Sequence, residues 1–170
     1  MDEIYSKYNL TPIINASGKM TSLGVSLYRT KAIEEQSKAG RKFFSMEELH
    51  KRIGRKVADL LGCESAYVVS SASAGIVQTI AGLIGKGSHY HLHNPYSSKF
   101  SMREVIILKG HNIDYGAPIS TMIEMGGGCV VEAGYANQCS TQQIEDCINE
   151  NTIAIFFVKS HHCVQKIYLQ

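Results

Sequence analysis

Lysine and arginine form no continuous block in this sequence, and that absence excludes one class of function at once. The 17 basic and 15 acidic residues among 170 are spread along the chain and leave a net charge of +2. Nothing here has the density of a surface that grips nucleic acid or an anionic membrane, so a small-molecule ligand is the better expectation. No C-x-x-C pair of the zinc or redox type occurs either. The five cysteines, Cys63, Cys129, Cys139, Cys147 and Cys163, fall at irregular spacings, which implies reduced thiols and a cytoplasmic location. No apolar run approaches the roughly 20 residues of a membrane helix. The mixed, polar start Met1-Asp2-Glu3-Ile4-Tyr5-Ser6-Lys7-Tyr8 carries no export signal. Internal repeats and low-complexity segments are missing as well.

What is present is ordinary globular composition, 44% hydrophobic and 19% charged, in a chain long enough to bury one sizeable core. Residues 1–62 read as an arm and a helical segment. Thr11-Pro12-Ile13-Ile14-Asn15 is extended and Ala16-Ser17-Gly18 turns the chain. A helix is expected from Thr30 to Lys38, and a second begins at Ser45, where Ser45-Met46-Glu47-Glu48 has capping-box spacing. Leu49, Ile53, Val57, Leu60 and Leu61 recur every three or four residues, which predicts an amphipathic helix packed on a core and ending at Gly62.

From residue 63 to 170 strand and helix signals alternate. Ala66-Tyr67-Val68-Val69 reads as a strand and Ala72 to Ile84 as a helix. Val105 to Leu108 (strand), Pro118 to Met125 (helix), Cys129 to Val131 (strand), Ser140 to Ile148 (helix) and Thr152 to Val158 (strand) follow. Such alternation predicts an α/β fold with a mainly parallel sheet under covering helices, continuous with the helical segment before it. Ser88 to Met102 shows neither period and is expected to be a long loop bordering the site.

Four segments could carry chemistry. In Val69-Ser70-Ser71-Ala72-Ser73-Ala74-Gly75 a strand hands over to a helix through hydroxyls and small residues. The free N–H groups and positive dipole end of such a helix suit a phosphate, although a serine cap on a packed helix looks the same on spacing alone. Gly110-His111-Asn112 follows the next strand and so falls at the carboxyl edge, where open α/β sheets bind ligands. His111 could stack on a flat cofactor there or remain an ordinary loop histidine. His89, His91 and His93 alternate, which in an extended segment would line up three imidazoles. No cysteine or carboxylate completes a ligand set, so no metal site is expected. Ser160-His161-His162-Cys163 follows the last strand at the same edge.

Ile13 to Gly18, Gly62 to Val69 and Ser71 to Gly75 together resemble the opening motifs of the selenocysteine synthase and D-glucosaminate-6-phosphate ammonia-lyase family of pyridoxal 5'-phosphate (PLP) enzymes. Lys109 to Asn112, Tyr115 to Pro118, Glu132 to Gln138 and Val158 to Lys166 resemble its ammonia-lyase branch. The resemblance implies an incomplete large domain of the aspartate-aminotransferase-like fold, fold type I. Ser71, Ala72, Ser73 and Ala74 would hold the cofactor phosphate and His111 would lie over the pyridine ring. Asn15, Ser17, His161 and His162 would approach the substrate, in a homo-oligomer or with a complementing C-terminal polypeptide. The implied reaction removes ammonia from an amino sugar acid phosphate to leave a keto acid. The Schiff-base lysine and the aspartate facing the pyridine nitrogen are expected beyond Lys166, which implies a frameshift, a premature stop or a split gene and no catalytic residue in this chain. Seryl-tRNA selenium transfer and a non-catalytic remnant are the competing expectations, the former without a basic extension for tRNA.

Overall fold

The computed structural model describes residues 3–114 and 116–159 and the backbone of 166–168. The chain divides into two compact units, 1–67 and 68–170, where one continuous unit was expected.

The first unit holds α1 (Glu3–Tyr8), a single 3-10 turn at Thr21–Leu23, α2 (Thr30–Ala39) and α3 (Met46–Leu61). Ser45 caps α3, its Oγ accepting from the Glu48 N–H at 3.4 Å. The reciprocal half of the expected box is missing, because the Glu48 carboxylate accepts from Arg52 Nε at 2.7 Å, one helical turn on. Gly62, left-handed at φ 67°, ends the helix and returns its N–H to the Ala58 carbonyl. The face of α3 that is buried is the small one, Gly54 and Ala58. A Cβ on Gly54 would run into the Ala66 carbonyl oxygen, so the returning chain lies directly on that face. The expected packing of the large apolar face does not occur among the described residues: Leu60 is 76% and Leu61 72% exposed.

At residues 66–69, which straddle the boundary between the units, the structure has no strand. A strand exists only through its partners, and the described residues offer none beside this segment. Then come α4 (Ala72–Gly85), α5 (His89–His93), β1 (Glu104–Leu108), α6 (Ile119–Met125), β2 (Cys129–Ala133), β3 (Gln138–Ser140), α7 (Thr141–Glu145), β4 (Thr152–Phe156) and β5 (Lys166–Tyr168). The central sheet has order β2-β1-β4, every pair parallel, and β3 pairs with β5 in a second, parallel ribbon. The expected α/β architecture with a parallel sheet is therefore present.

β1 is buried on both faces, as the middle strand of a covered parallel sheet must be. Val105 and Ile107 meet Ile80 and Ile84 of α4 and Ile123 of α6 on one side. Ile106 and Leu108 meet Ala133 and Cys139 on the other, with Ile144 of α7 packed against them. Gly126 and Gly128 let α6 and the start of β2 close on α4: a Cβ on Gly126 would stand 2.8 Å from Ile80 Cβ and from the Val77 carbonyl oxygen. Among the described residues no helix is long and apolar enough to cross a membrane.

Candidate functional site

The direction of α4 fixes where its first turn lies. Ile84, in its last turn, comes within 3.6 Å of where a Cβ of Gly127 would be, and Gly127 immediately precedes β2. The C-terminus of α4 therefore lies at the amino edge of the sheet, and its N-terminus points toward the carboxyl edge. At that N-terminus Ser71 is extended, and its Oγ accepts from the Ala74 N–H at 3.1 Å while its carbonyl accepts from Gly75 at 3.0 Å. Among the described residues the N–H groups of Ala72 and Ser73 have no acceptor, and both residues are exposed. Two open donors thus lie at the positive end of a 14-residue helix, flanked by the hydroxyls of Ser71 and Ser73, an arrangement that suits an anion. Small side chains leave the backbone open to close approach. The donor set is of the kind that suits a phosphate monoester.

The carboxyl edge itself is made by the residues that leave β1, β2 and β4. Lys109–His111 forms a 3-10 turn directly after β1. His111 is only 1% exposed. Its Nδ1 accepts from the Val158 N–H at 3.2 Å, so the proton of the neutral ring sits on Nε2. Burial lowers its pKa from the usual histidine value. The Val158 bond acts in the same direction, because a protonated ring has no lone pair to accept it. Phe157 packs on the imidazole at 4.6 Å between centroids, nearly perpendicular to it. A flat cofactor lying on His111 would have to share that space with Phe157.

Asn112 and Glu132 were not singled out from the sequence as site residues, yet they form the best-connected polar group at this edge. Asn112 Nδ2 donates to Glu132 Oε1 at 3.0 Å, and Asn112 Oδ1 accepts from the Ser120 N–H at 3.0 Å. Lys109 Nζ stands 3.8 Å from Glu132 Oε2. Their signal in the sequence was position alone, since each sits at or just past the end of a strand.

Asn15 and Ser17 lie in the first unit, both exposed. Asn15 closes a turn on itself, accepting from the Ser17 N–H at 2.9 Å and donating to the Gly18 carbonyl at 2.8 Å. His161 and His162 lie outside the described residues. His89, His91 and His93 do not form the extended row expected of them. They make up the short helix α5, capped by Ser88, and in a helix alternate residues point apart. His91 turns inward at 6% exposure against Phe100, while His89 and His93 face outward. No group of three or more metal-ligating side chains occurs among the described residues.

The described residues thus define an α/β protein with a parallel sheet, open donors at one helix start and polar groups at the carboxyl edge of the sheet. No family model matches the chain. It is 41% identical over 163 residues to D-glucosaminate-6-phosphate ammonia lyase of Salmonella typhimurium, across 96% of this chain and 44% of that protein. It is 28% identical over 164 residues to 5'-C-glycyluridine monooxygenase-decarboxylase of a Streptomyces species, across 95% of this chain and 41% of that one. A solved structure of D-glucosaminate-6-phosphate ammonia-lyase superimposes with a TM-score of 0.93 and 41% identity, over all of this chain and 46% of that one. The chain thus spans less than half the length of each relative.

Proposed function

We propose that these residues form the phosphate-binding part of a PLP-dependent ammonia-lyase of fold type I, acting on an amino sugar acid phosphate in the cytoplasm. The observation that carries this reading is the pair of free N–H groups of Ala72 and Ser73 at the start of α4. Support comes from the similarity to D-glucosaminate-6-phosphate ammonia lyase along nearly the whole chain. When bound, PLP supplies an electron sink for the charge left as the substrate α-proton departs. The helix start holds the phosphate by charge-assisted hydrogen bonds and by its dipole. His111, neutral and proton-bearing at Nε2, is the residue assigned to the cofactor ring, and Phe157 packs beside it. Asn15, Ser17, His161 and His162 are assigned to the substrate in an oligomer or with a complementing polypeptide.

The two relatives carry the names of different activities, and each matches nearly all of this chain. The shared part therefore suits cofactor holding, and the choice of reaction lies with other groups. Lys109 is engaged with Glu132. Neither Lys109, Lys159 nor Lys166 lies in the family's lysine-bearing motif.

The test mixes the purified chain with PLP and D-glucosaminate 6-phosphate, alone and with a polypeptide matching the C-terminal part of the Salmonella protein. Ammonia release in the mixture and none from the chain alone is the expected result. Release by the chain alone, with borohydride fixing PLP to one of its own lysines, would overturn the assignment of that lysine to another segment. Failure of the mixture to release ammonia, with both polypeptides folded, would count against the lyase reading.

A further inference from the structure

The carboxyl edge contains an arrangement that holding a phosphate does not require. The turn carrying His111 has few backbone bonds of its own: the Asn112 N–H reaches the Lys109 carbonyl at a long 3.3 Å, and Ile113 reaches the His111 carbonyl at 2.9 Å. Its orientation must come from side chains. Asn112 is the first residue after the turn, and its amide group joins three elements at once. It accepts from Ser120 in the first turn of α6, a helix whose N-cap residue, Pro118, offers no side-chain acceptor. It donates to Glu132 on β2, twenty residues away in sequence.

We propose that Asn112 and Glu132 are positioning residues that lock the Lys109–His111 turn and so hold the His111 ring against the Val158 N–H. Asn112 does this as a remote cap for α6, which satisfies a donor that the helix itself leaves open. Glu132 supplies the fixed acceptor. The Lys109 contact adds little, because both partners are solvent-exposed and the charges stand 3.8 Å apart. The two amide hydrogen bonds therefore hold the turn, and the charge of Glu132 is dispensable so long as an oxygen remains. The inference rests on the PLP reading only for what His111 faces; the lock itself is a property of the chain without cofactor.

The test uses the full chain, labelled with nitrogen-15 and free of PLP, and follows amide exchange of Val158 with the ring nitrogens of His111. Asn112→Ala should speed Val158 exchange roughly tenfold, the expected consequence of losing two hydrogen bonds. It should also abolish the pattern of a ring protonated at Nε2 alone. Ile106 and Leu108, inside β1, should exchange as before. Glu132→Ala, which removes one of those two bonds, should speed Val158 exchange in the same direction but by less, whereas Glu132→Gln, which keeps an oxygen for Asn112, should match the parent. Unchanged Val158 exchange in Asn112→Ala, or an equal rise at Ile106 and Leu108, would overturn the proposal. So would Glu132→Gln behaving like Glu132→Ala. A lock that behaves as expected in a chain that fails to bind PLP would remove the cofactor reading and leave the lock standing.

Discussion

His111 shows how one side chain can be legible by type and place yet not by environment. Its position after a strand predicted the carboxyl edge, but the partner of Nδ1, Val158, and the covering ring of Phe157 come from just past β4, 47 and 46 residues further along the chain. The buried, neutral imidazole also has a consequence for pH. The folded pKa is lowered by burial, while the unfolded value is about 6.5. At pH values below that the unfolded chain binds the extra proton more readily than the folded one. Stability contributed by this group is therefore complete above about pH 6.5 and is lost as pH falls from there through the folded value. Urea unfolding at about pH 7.5 and about pH 5.5 should show the parent losing more stability on acidification than His111→Gln. Parallel losses in the two proteins would place the titrating group elsewhere.

At the scale of elements, α4 and its surroundings give the sharpest energetic prediction. Gly126→Ala forces a methyl onto Ile80 and the Val77 carbonyl, both at 2.8 Å, and should destabilise the chain by about 1–3 kcal/mol. Gly82→Ala, in the same helix pair but with nothing within 4 Å of the new carbon, should instead stabilise by up to about 1 kcal/mol. Chemical denaturation of both variants checks the contrast, and equal effects of the same sign would contradict the packing described. α4 was readable because a serine cap and a long apolar run are local signals. Residues 66–69 were misread as a strand because apolar, β-branched composition is local while pairing is not. α5 escaped notice since five residues show no period; only the Ser88 cap, accepting from the His91 N–H at 3.3 Å, marks it. The Asn112–Glu132 pair depends on the register of β1 with β2, in which Ile107 stands beside Glu132, and no spacing rule gives that register.

For the molecule as a whole, the two units differ in how they are held. The second has a core on both faces of β1, whereas the first, among the described residues, buries only Gly54 and Ala58 of α3 and leaves Ile14 and Leu27 each 98% exposed. So much exposed apolar surface is unusual for a folded unit. In the second unit, the start of α4 is proposed to hold the phosphate of PLP. The most direct measurement is amide chemical-shift titration of the chain with PLP, with pyridoxal and with inorganic phosphate, in the parent and in Ser73→Glu. PLP and phosphate should each move the Ala72 and Ser73 amides while pyridoxal leaves them in place. Ser73→Glu, which puts a negative charge at the anion site, should weaken PLP binding at least roughly tenfold. Shifts of equal size with pyridoxal, or undiminished PLP binding by Ser73→Glu, would contradict the account.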